Sequence, residues 1–551
     1  MGVEQPADCV LLVDYPSRVS RRPLSVQSTL ASNGYLILVA TRNEGDGMPD
    51  RLILGELAAE AGLAIYSTQD CTLQRSGVRA TVLWAVPTHY NPLLHARALK
   101  QSGRPASALE VLNLIPETLL GDPKVRQKVT VEKLDTLLAW DRASGPNGRL
   151  HRFFHAEALF YDAVHRDPNS AEPYRFMAEF WARIGDHAMA ARLLRTLGQA
   201  STSLFPRPET RSPAIETLNS VDDGSPSDFR SFDWPKRVLF VTHPRPHYGL
   251  DVLHDGLCEL LGDDNVVEFP FKPALHGAPL TEQANYPCQF FRAGTPRSFE
   301  ALLSDLEKGR FDVVLYGDIE GHLETPFARR LADAARHLPI CLVDAQDDPI
   351  DHRTELSVRL GTERFFCYFK REMLSCWDYG PLTVPLPFAY PDNRVPRAIE
   401  AARTQGLFWA GHRQFGLRRR YLEHLESKFN LDLSRSFTQD EYSAALRRSR
   451  IGLNLFGFGF DTVRYWEVPA HGCMLLAERP PIRIPFNFQD GQSAVFFDDL
   501  ADLEAKLAHY LEHPDRAAAI ALRGHEHLKR FHTASARAAQ LLAWVRRFAE
   551  R

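Results

Sequence analysis

The sequence predicts an α/β chain: two successive parallel-sheet halves, preceded by a helical region and a smaller α/β segment. Three observations lead there. From about residue 233 onward, apolar runs of strand length alternate with amphipathic helical stretches, the βαβ rhythm of a parallel sheet. Residues 91–200 carry small and large apolar residues at the spacing of a helical repeat of about 34 residues. The 551 residues are 44% hydrophobic and 24% charged, a balance that suits several folded domains and excludes a mostly disordered or fibrous chain.

In residues 1–90, CVLLVD (9–14), GYLILVA (34–40) and ATVLWAV (80–86) read as strands. RLILGELAAEAGL (51–63) reads as a helix with Leu52, Leu57 and Leu63 on its apolar face. This pattern resembles the tail end of a class I methyltransferase domain, without the Gly-rich turn that would hold that cofactor. The resemblance implies a structural remnant or docking segment.

In residues 91–200, Pro168 is placed to end one repeat unit. Ala156, Phe160 and Ala163 then take second-helix positions, and Tyr174, Ala178, Trp181, Gly185, Ala190 and Leu194 the positions of the next unit. Ala96, Leu99, Gly103 and Ala108 form an earlier copy. The small residues let antiparallel helices approach, and the large ones fill the space between units. The spacing resembles tetratricopeptide repeats, which present a concave surface to peptides; a plain spacer is the other reading. Residues 201–232, rich in Ser, Pro, Thr and Asp, read as a linker.

Residues 233–395 open with the strand KRVLFVTH (236–243) and the helix DVLHDGLCELL (251–261). FDVVLYGD (311–318), PICLVDAQDD (339–348), RFFCYF (364–369) and PLPFAYP (385–391) follow as further strand-like segments. In residues 396–551 the strands are GLFWAG (406–411), RIGLNLF (450–456), CMLLAE (473–478) and AVFFDD (494–499). Helices are expected over 417–429, up to about Arg448 behind a Thr438–Glu441 capping box, over 463–472, and through three C-terminal segments whose first apolar face is Leu503, Leu507, Tyr510 and Leu511.

Charge and composition exclude some functions. Lys+Arg total 65 and Asp+Glu 69, a net charge of -4, which argues against a nucleic-acid binder. The 8 cysteines form no C-x-x-C pair and sit in or beside apolar runs, so buried thiols are expected rather than a metal site. The N-terminal MGVEQPADC lacks the features of a signal peptide, and apolar runs such as YLILVA (35–40) fall far short of the ~20 residues that span a bilayer. A cytoplasmic protein with no transmembrane segment is expected.

Two parallel sheets in succession place a cleft between their carboxyl ends, where ligands of open α/β sheets bind. A nucleoside diphosphate there needs backbone N–H groups or Arg for its pyrophosphate and a carboxylate for its ribose. Gly411, after a strand, lets backbone approach a phosphate; His412, Arg413, Arg418, Arg419 and Arg420 surround the next helix start, some of them as solvated helix charges. Gly457 and Gly459 precede a helix that carries Thr462, Arg464 and Glu467, with Asn454 ending the strand before it. The other half offers groups able to take a proton from an acceptor hydroxyl: His247 and Asp251 in THPRPHYGLD (242–251), Asp318 at a strand end, and Asp347 or Asp348. A strand-end Asp is also a common helix cap.

Residues 236–551 resemble the group 1 family of GT-B glycosyltransferases, and within it the CgeB-like branch. The matching stretches are FWAGHRQFGLRRRYLEHL (408–425), RSRIGLNLF (448–456), the R-Y-W-E-x-x-A-x-G-C-x-L-L-A-E segment (464–478) and residues 488–533. The resemblance implies a GT-B fold: two Rossmann-like domains facing a cleft, the acceptor side in 233–395 and the donor side in 396–551. It implies Glu467 on the ribose, Arg464 beside it and Gly411 near the pyrophosphate. It also implies sugar transfer from a nucleotide-diphosphate sugar, a co-substrate and not a cofactor, to a bacterial protein or surface glycan. Where many relatives carry a second Glu, eight positions before the ribose Glu, this chain has Gly459, with Asp461 nearby. Retention of configuration is therefore not inherited. No D-x-D lies between the apolar strands, so a metal-independent reaction is expected. A nucleotide-sugar epimerase and a non-catalytic repeat scaffold are the competing readings.

Overall fold

The computed structural model describes residues 7–12, 30–42, 63–72, 79–87, 91–115, 117–197, 234–242, 244–278, 290–399 and 403–550. The expected helix over 51–63 (apart from Leu63), the linker 201–232 and His243 lie outside these residues. The chain divides into two units, Met1–Phe176 and Met177–Arg551.

In the first unit, strands β1 (Ala7–Leu12), β2 (Leu30–Arg42), β3 (Leu63–Thr72) and β4 (Arg79–Pro87) form a sheet in the order β1-β2-β4-β3. β1 runs parallel to β2, and β4 antiparallel to both β2 and β3. Three of these strands are legible in sequence. β3 is not, because polar residues Ser67–Thr72 follow its short apolar start. Helices α1 (Pro92–Gln101), α2 (Pro105–Asn113), α3 (Glu117–Leu120), α4 (Pro123–Ala143) and α5 (Arg149–Arg166) come next. The Asn91 side chain caps α1 by accepting from the Leu93 and Leu94 N–H groups. Ala96, Leu99 and Ala108 are buried in one apolar cluster, and Ala156, Phe160 and Ala163 are buried along α5. Gly103 and Gly185, also among the expected repeat positions, are exposed.

Helix α6 (Ala171–Ile184) follows; from Met177 on, it belongs with α7 (His187–Thr196) to the second unit. Gly185, at φ 103°, makes the turn between them. This pair is anchored on the C-terminal half of the unit. Arg192 donates to the Arg479 carbonyl (2.8 Å) and pairs with Asp498 (3.1 Å), Arg195 pairs with Asp499 (2.9 Å), and Arg420 donates to the Thr196 carbonyl (2.8 Å). The Trp181 ring packs on Phe460 with centroids 5.6 Å apart.

The second unit holds two parallel sheets. The first has strands β5 (Val238–Val241), β6 (Val266–Phe269), β7 (Val313–Tyr316), β8 (Ile340–Asp344), β9 (Cys367–Lys370) and β10 (Thr383–Pro385), in the order β10-β9-β8-β7-β5-β6. Helices α8 (Tyr248–Leu261), α9 (Phe299–Glu307), α10 (Thr325–Ala334) and α11 (Arg353–Leu360) connect them. β5, β7, β8 and β9 are buried at every residue, which is why they read as unbroken apolar runs.

The second sheet has β11 (Gln405–Phe408), β12 (Ser449–Asn454), β13 (Met474–Glu478) and β14 (Val495–Phe497) in sequential order, all parallel. With it go α12 (Arg418–Phe429), α13 (Gln439–Arg448), α14 (Val463–Ala470), α15 (Leu500–Glu512), α16 (Pro514–Phe531) and α17 (Ala534–Ala549). The Thr438–Glu441 capping box forms at the start of α13. The last helix, α17, crosses back to the first sheet, where Ala538, Leu541, Leu542, Val545 and Phe548 join its core. A Cβ on Gly256 of α8 would lie 2.1 Å from the Ala534 carbonyl oxygen, so only glycine permits this close crossing. The architecture is the α/β arrangement of two successive parallel sheets expected from sequence. Among the described residues no helix is long and apolar enough to cross a membrane.

Candidate functional site

The carboxyl ends of both sheets meet at a cavity of about 420 Å³. The first sheet contributes His247 after β5, Glu320 after β7, Asp347 after β8 and Arg371 after β9; the second contributes the Gly457–Thr462 loop between β12 and α14.

On the second sheet's side, Gly411 follows β11 with φ 146°, and a Cβ there would come within 3.0 Å of Arg464 Nη2. Arg464 donates to the Ala410 carbonyl and lies over the Trp409 ring at 5.4 Å. Thr462 precedes α14 but donates its hydroxyl to Asn454 Oδ1 (2.5 Å) and makes no side-chain cap, so the first N–H groups of the helix keep their polarity for another acceptor. Three buried donors here find no acceptor among the described residues: Trp409 Nε1, Asn454 Nδ2 and Arg464 Nε. An unmet buried donor costs about 1–3 kcal/mol. Glu467, three residues beyond Arg464, is buried. Its Oε2 accepts from the Tyr442 hydroxyl (2.8 Å). Burial pushes this carboxyl above its ordinary range, against the opposing pull of Tyr442 and Arg464.

The neighbouring arginines serve the framework. Arg413 forms a bidentate pair with Glu426 (2.9 and 2.5 Å). Arg418 is buried and donates to the His412 and Leu455 carbonyls (3.0 and 3.2 Å), tying the β11 and β12 loops together. Arg419 pairs with Glu423 on the surface.

On the first sheet's side, His247 caps α8, its Nδ1 accepting weakly from the Leu250 N–H (3.5 Å), and its ring lines the cavity. Asp251 is buried against Lys272 (2.5 Å) and accepts from the His247 N–H (3.0 Å). Asp318 is fully buried and accepts from the His322 and Leu323 N–H groups (3.0 and 2.8 Å). Both aspartates hold loops; His247 is the member of the three that meets the cavity.

Sequence reading did not single out Arg371 or Glu372, which sit just past β9. Arg371 is buried, pairs with Asp347, donates to Glu372 Oε1 (2.7 Å) and to the Ala345 carbonyl (3.2 Å), and stacks on Phe388 at 4.1 Å. Glu372 reaches across the cleft, accepting from the Asp461 N–H (3.0 Å) and the Phe460 N–H (3.1 Å). A Cβ on Gly459 would lie 2.4 Å from Glu372 Oε1. The Gly at this position is therefore explained by a carboxylate arriving from the opposite sheet.

Asp461 completes the latch, accepting from the Phe388 N–H (2.5 Å) and Trp466 Nε1 (2.8 Å). Burial pushes its pKa up to about 7, with Arg371 opposing and Glu372 reinforcing the rise. A carboxyl raised in the folded state holds its proton longer there than in the unfolded chain. Its contribution to stability is therefore present at low pH and lost as pH rises from about 4 through 7. Asp461→Asn is expected to gain thermal stability relative to the parent as pH goes from 5 to 8. Melting curves of both proteins across that range check this; a constant difference would contradict it.

Among the described residues no group of His, Cys, Asp and Glu is arranged to hold a metal ion. Residues 397–543 match the family model described as "Glycosyl transferase-like". That stretch contains Gly411, Asn454, Thr462, Arg464 and Glu467, and the match supports sugar transfer as its class of activity. No curated protein matches the chain. Similar solved structures include Anabaena HepE in complex with UDP, at 11% identity over 55% of this chain and 98% of that one, TM-score 0.34. Sucrose-phosphate synthase from Thermosynechococcus elongatus is similar at 13% over 57% and 100%, TM-score 0.35. A mutant O-GlcNAc transferase from Thermobaculum terrenum is similar at 13% over 83% and 97%, TM-score 0.30.

Proposed function

We propose that this chain is a glycosyltransferase that moves a sugar from a nucleotide-diphosphate sugar to an acceptor hydroxyl without a metal ion. The observation that carries the reading is the set of unmet buried donors at Trp409, Asn454 and Arg464, placed beside Glu467 and the uncapped start of α14. In the reaction the acceptor oxygen bonds to the anomeric carbon, the carbon–oxygen bond to the diphosphate breaks, and the charge gathers on the departing phosphate. Arg464, the α14 N–H groups and the backbone at Gly411 steady that charge. Glu467 Oε1 accepts from the ribose hydroxyls. His247, on the opposite wall, takes the acceptor proton.

We further propose that the acceptor is a bacterial protein or surface glycan, presented by tetratricopeptide-like repeats in 91–200. In this reading residues 1–90 are a methyltransferase-like remnant that serves as a docking segment, and the protein works in the cytoplasm. Asn454 and Thr462 shape the phosphate site through their mutual hydrogen bond, and Arg413 acts at one remove by bracing Trp409.

A thermal-shift screen with UDP, GDP, dTDP and CMP compounds tests the donor site. One nucleotide at about 100 times its Kd is expected to stabilise the protein by ~2.7 kcal/mol. Glu467→Ala is expected to weaken that binding by about 10- to 100-fold, the worth of charged hydrogen bonds. No shift with any nucleotide, or equal affinity in the variant, would count against the reading.

A further inference from the structure

The cavity walls are electrically lopsided. Among the described residues, the lining includes Glu320, Asp347, the buried Asp461, His247 and one permanent cation, Arg371. That cation is already engaged: Asp347 and Glu372 share its Nη2, the Ala345 carbonyl takes Nη1, and Phe388 covers its face. Glu320 and Asp347 stay about half exposed, at 47% and 54%, with Glu320 lying 3.5 Å from the His322 imidazole. Asp347 and the buried Glu372 already outnumber that one arginine, and Glu320 adds a further carboxylate. The unmet donors belong instead to Trp409, Asn454 and Arg464, on the second sheet and outside the cavity's lining. The cavity wall itself is thus rich in acceptors. Phe458 adds a partly exposed ring to the cavity wall.

A neutral sugar ring suits the acceptor-rich wall: its hydroxyls donate to carboxylates, and its C–H face packs on an aromatic ring. A sugar that carries its own carboxylate meets like charges there and is rejected. A volume of about 420 Å³ lies in the usual range for small-molecule sites, ~300–1,000 Å³. We infer that this cavity holds the transferred sugar as an uncharged, hydroxyl-bearing ring and excludes uronic-acid donors, with Glu320 and Asp347 as the specificity-determining residues. The inference rests on the donor reading above.

The test uses the full chain at pH 8, where an imidazole of ordinary pKa is neutral. Affinities are compared within matched pairs: UDP-glucose against UDP-glucuronate, UDP-galactose against UDP-galacturonate, and GDP-mannose against GDP-mannuronate, with UDP and GDP alone as references. The neutral member of the pair whose nucleotide binds is expected to bind at least tenfold more tightly than its uronate. Asp347→Asn and Glu320→Gln are each expected to narrow that ratio several-fold, while the affinity for the bare nucleotide identifies a protein that remains folded. Equal binding of the two members, preference for the uronate, or a ratio untouched by both substitutions overturns the inference and leaves the donor reading standing. Failure of UDP, GDP, dTDP and CMP compounds alike to bind removes both.

Discussion

Arg464→Ala is expected to lower kcat/KM for sugar transfer by about 10²- to 10³-fold, the loss typical when one donor to a developing negative charge is removed. The size follows from where the guanidinium sits. It is fixed over Trp409 at 5.4 Å and tied to the Ala410 carbonyl, so it needs no reorganisation when charge reaches the diphosphate. Its Nε has no acceptor among the described residues, leaving that donor for the phosphate. An interaction made mainly with the departing group should appear chiefly in kcat, with a smaller change in KM. Arg464→Lys should rescue poorly, because an ammonium cannot both hold Ala410 and reach forward in a plane. Steady-state kinetics with the turned-over donor check this. A loss below about threefold would show that the charge is met elsewhere, since it would amount to less than 1 kcal/mol.

Arg371→Ala is expected to produce the largest loss of stability, about 3–5 kcal/mol, because it strips the cation from a buried charge cluster. Arg371 is 2% exposed and serves Asp347, Glu372 and Asp461 together. Glu372 is completely buried, and its carboxylate also carries the Phe460 and Asp461 N–H groups. Without the arginine, that buried carboxylate loses its counter-charge and pulls away, and the loop forming the cavity wall moves with it. Replacing Glu372 as well should recover part of the loss, since fewer unpaired charges are then buried. Urea unfolding of the two single variants and the double variant measures this coupling. Additive losses would show that the two residues act independently.

The parts legible in sequence were those encoded by local pattern. Strands buried on both faces must be apolar throughout, so VLFV, VVLY and ICLVD mark the first sheet without ambiguity. The Thr438–Glu441 box announces its helix because cap and partner lie three residues apart. Gly411, Arg464 and Glu467 stand out because a strand, a loose turn and a helix start follow one another in the chain, and the family resemblance rests on the same segment. Long-range partners leave no such trace. Nothing near Asp251 reveals that Lys272 will hold it, and nothing near Asp318 shows that it closes its own loop. Arg371 and Glu372 look like ordinary surface charges after RFFCYF, yet they meet a loop almost 90 residues away. Their only local sign is a charged pair at the carboxyl end of a buried strand. Trp409 likewise reads as a core residue, because an orphaned indole N–H is visible only in three dimensions.

The most direct measurement is a crystal structure of the full chain grown with the nucleotide diphosphate that raises its melting temperature. The diphosphate is expected against the start of α14, within hydrogen-bond reach of Arg464 and at least one of Trp409 Nε1 and Asn454 Nδ2, with the ribose hydroxyls on Glu467. A nucleotide bound outside this end of the cleft, or bound here with its ribose turned away from Glu467, would contradict the account.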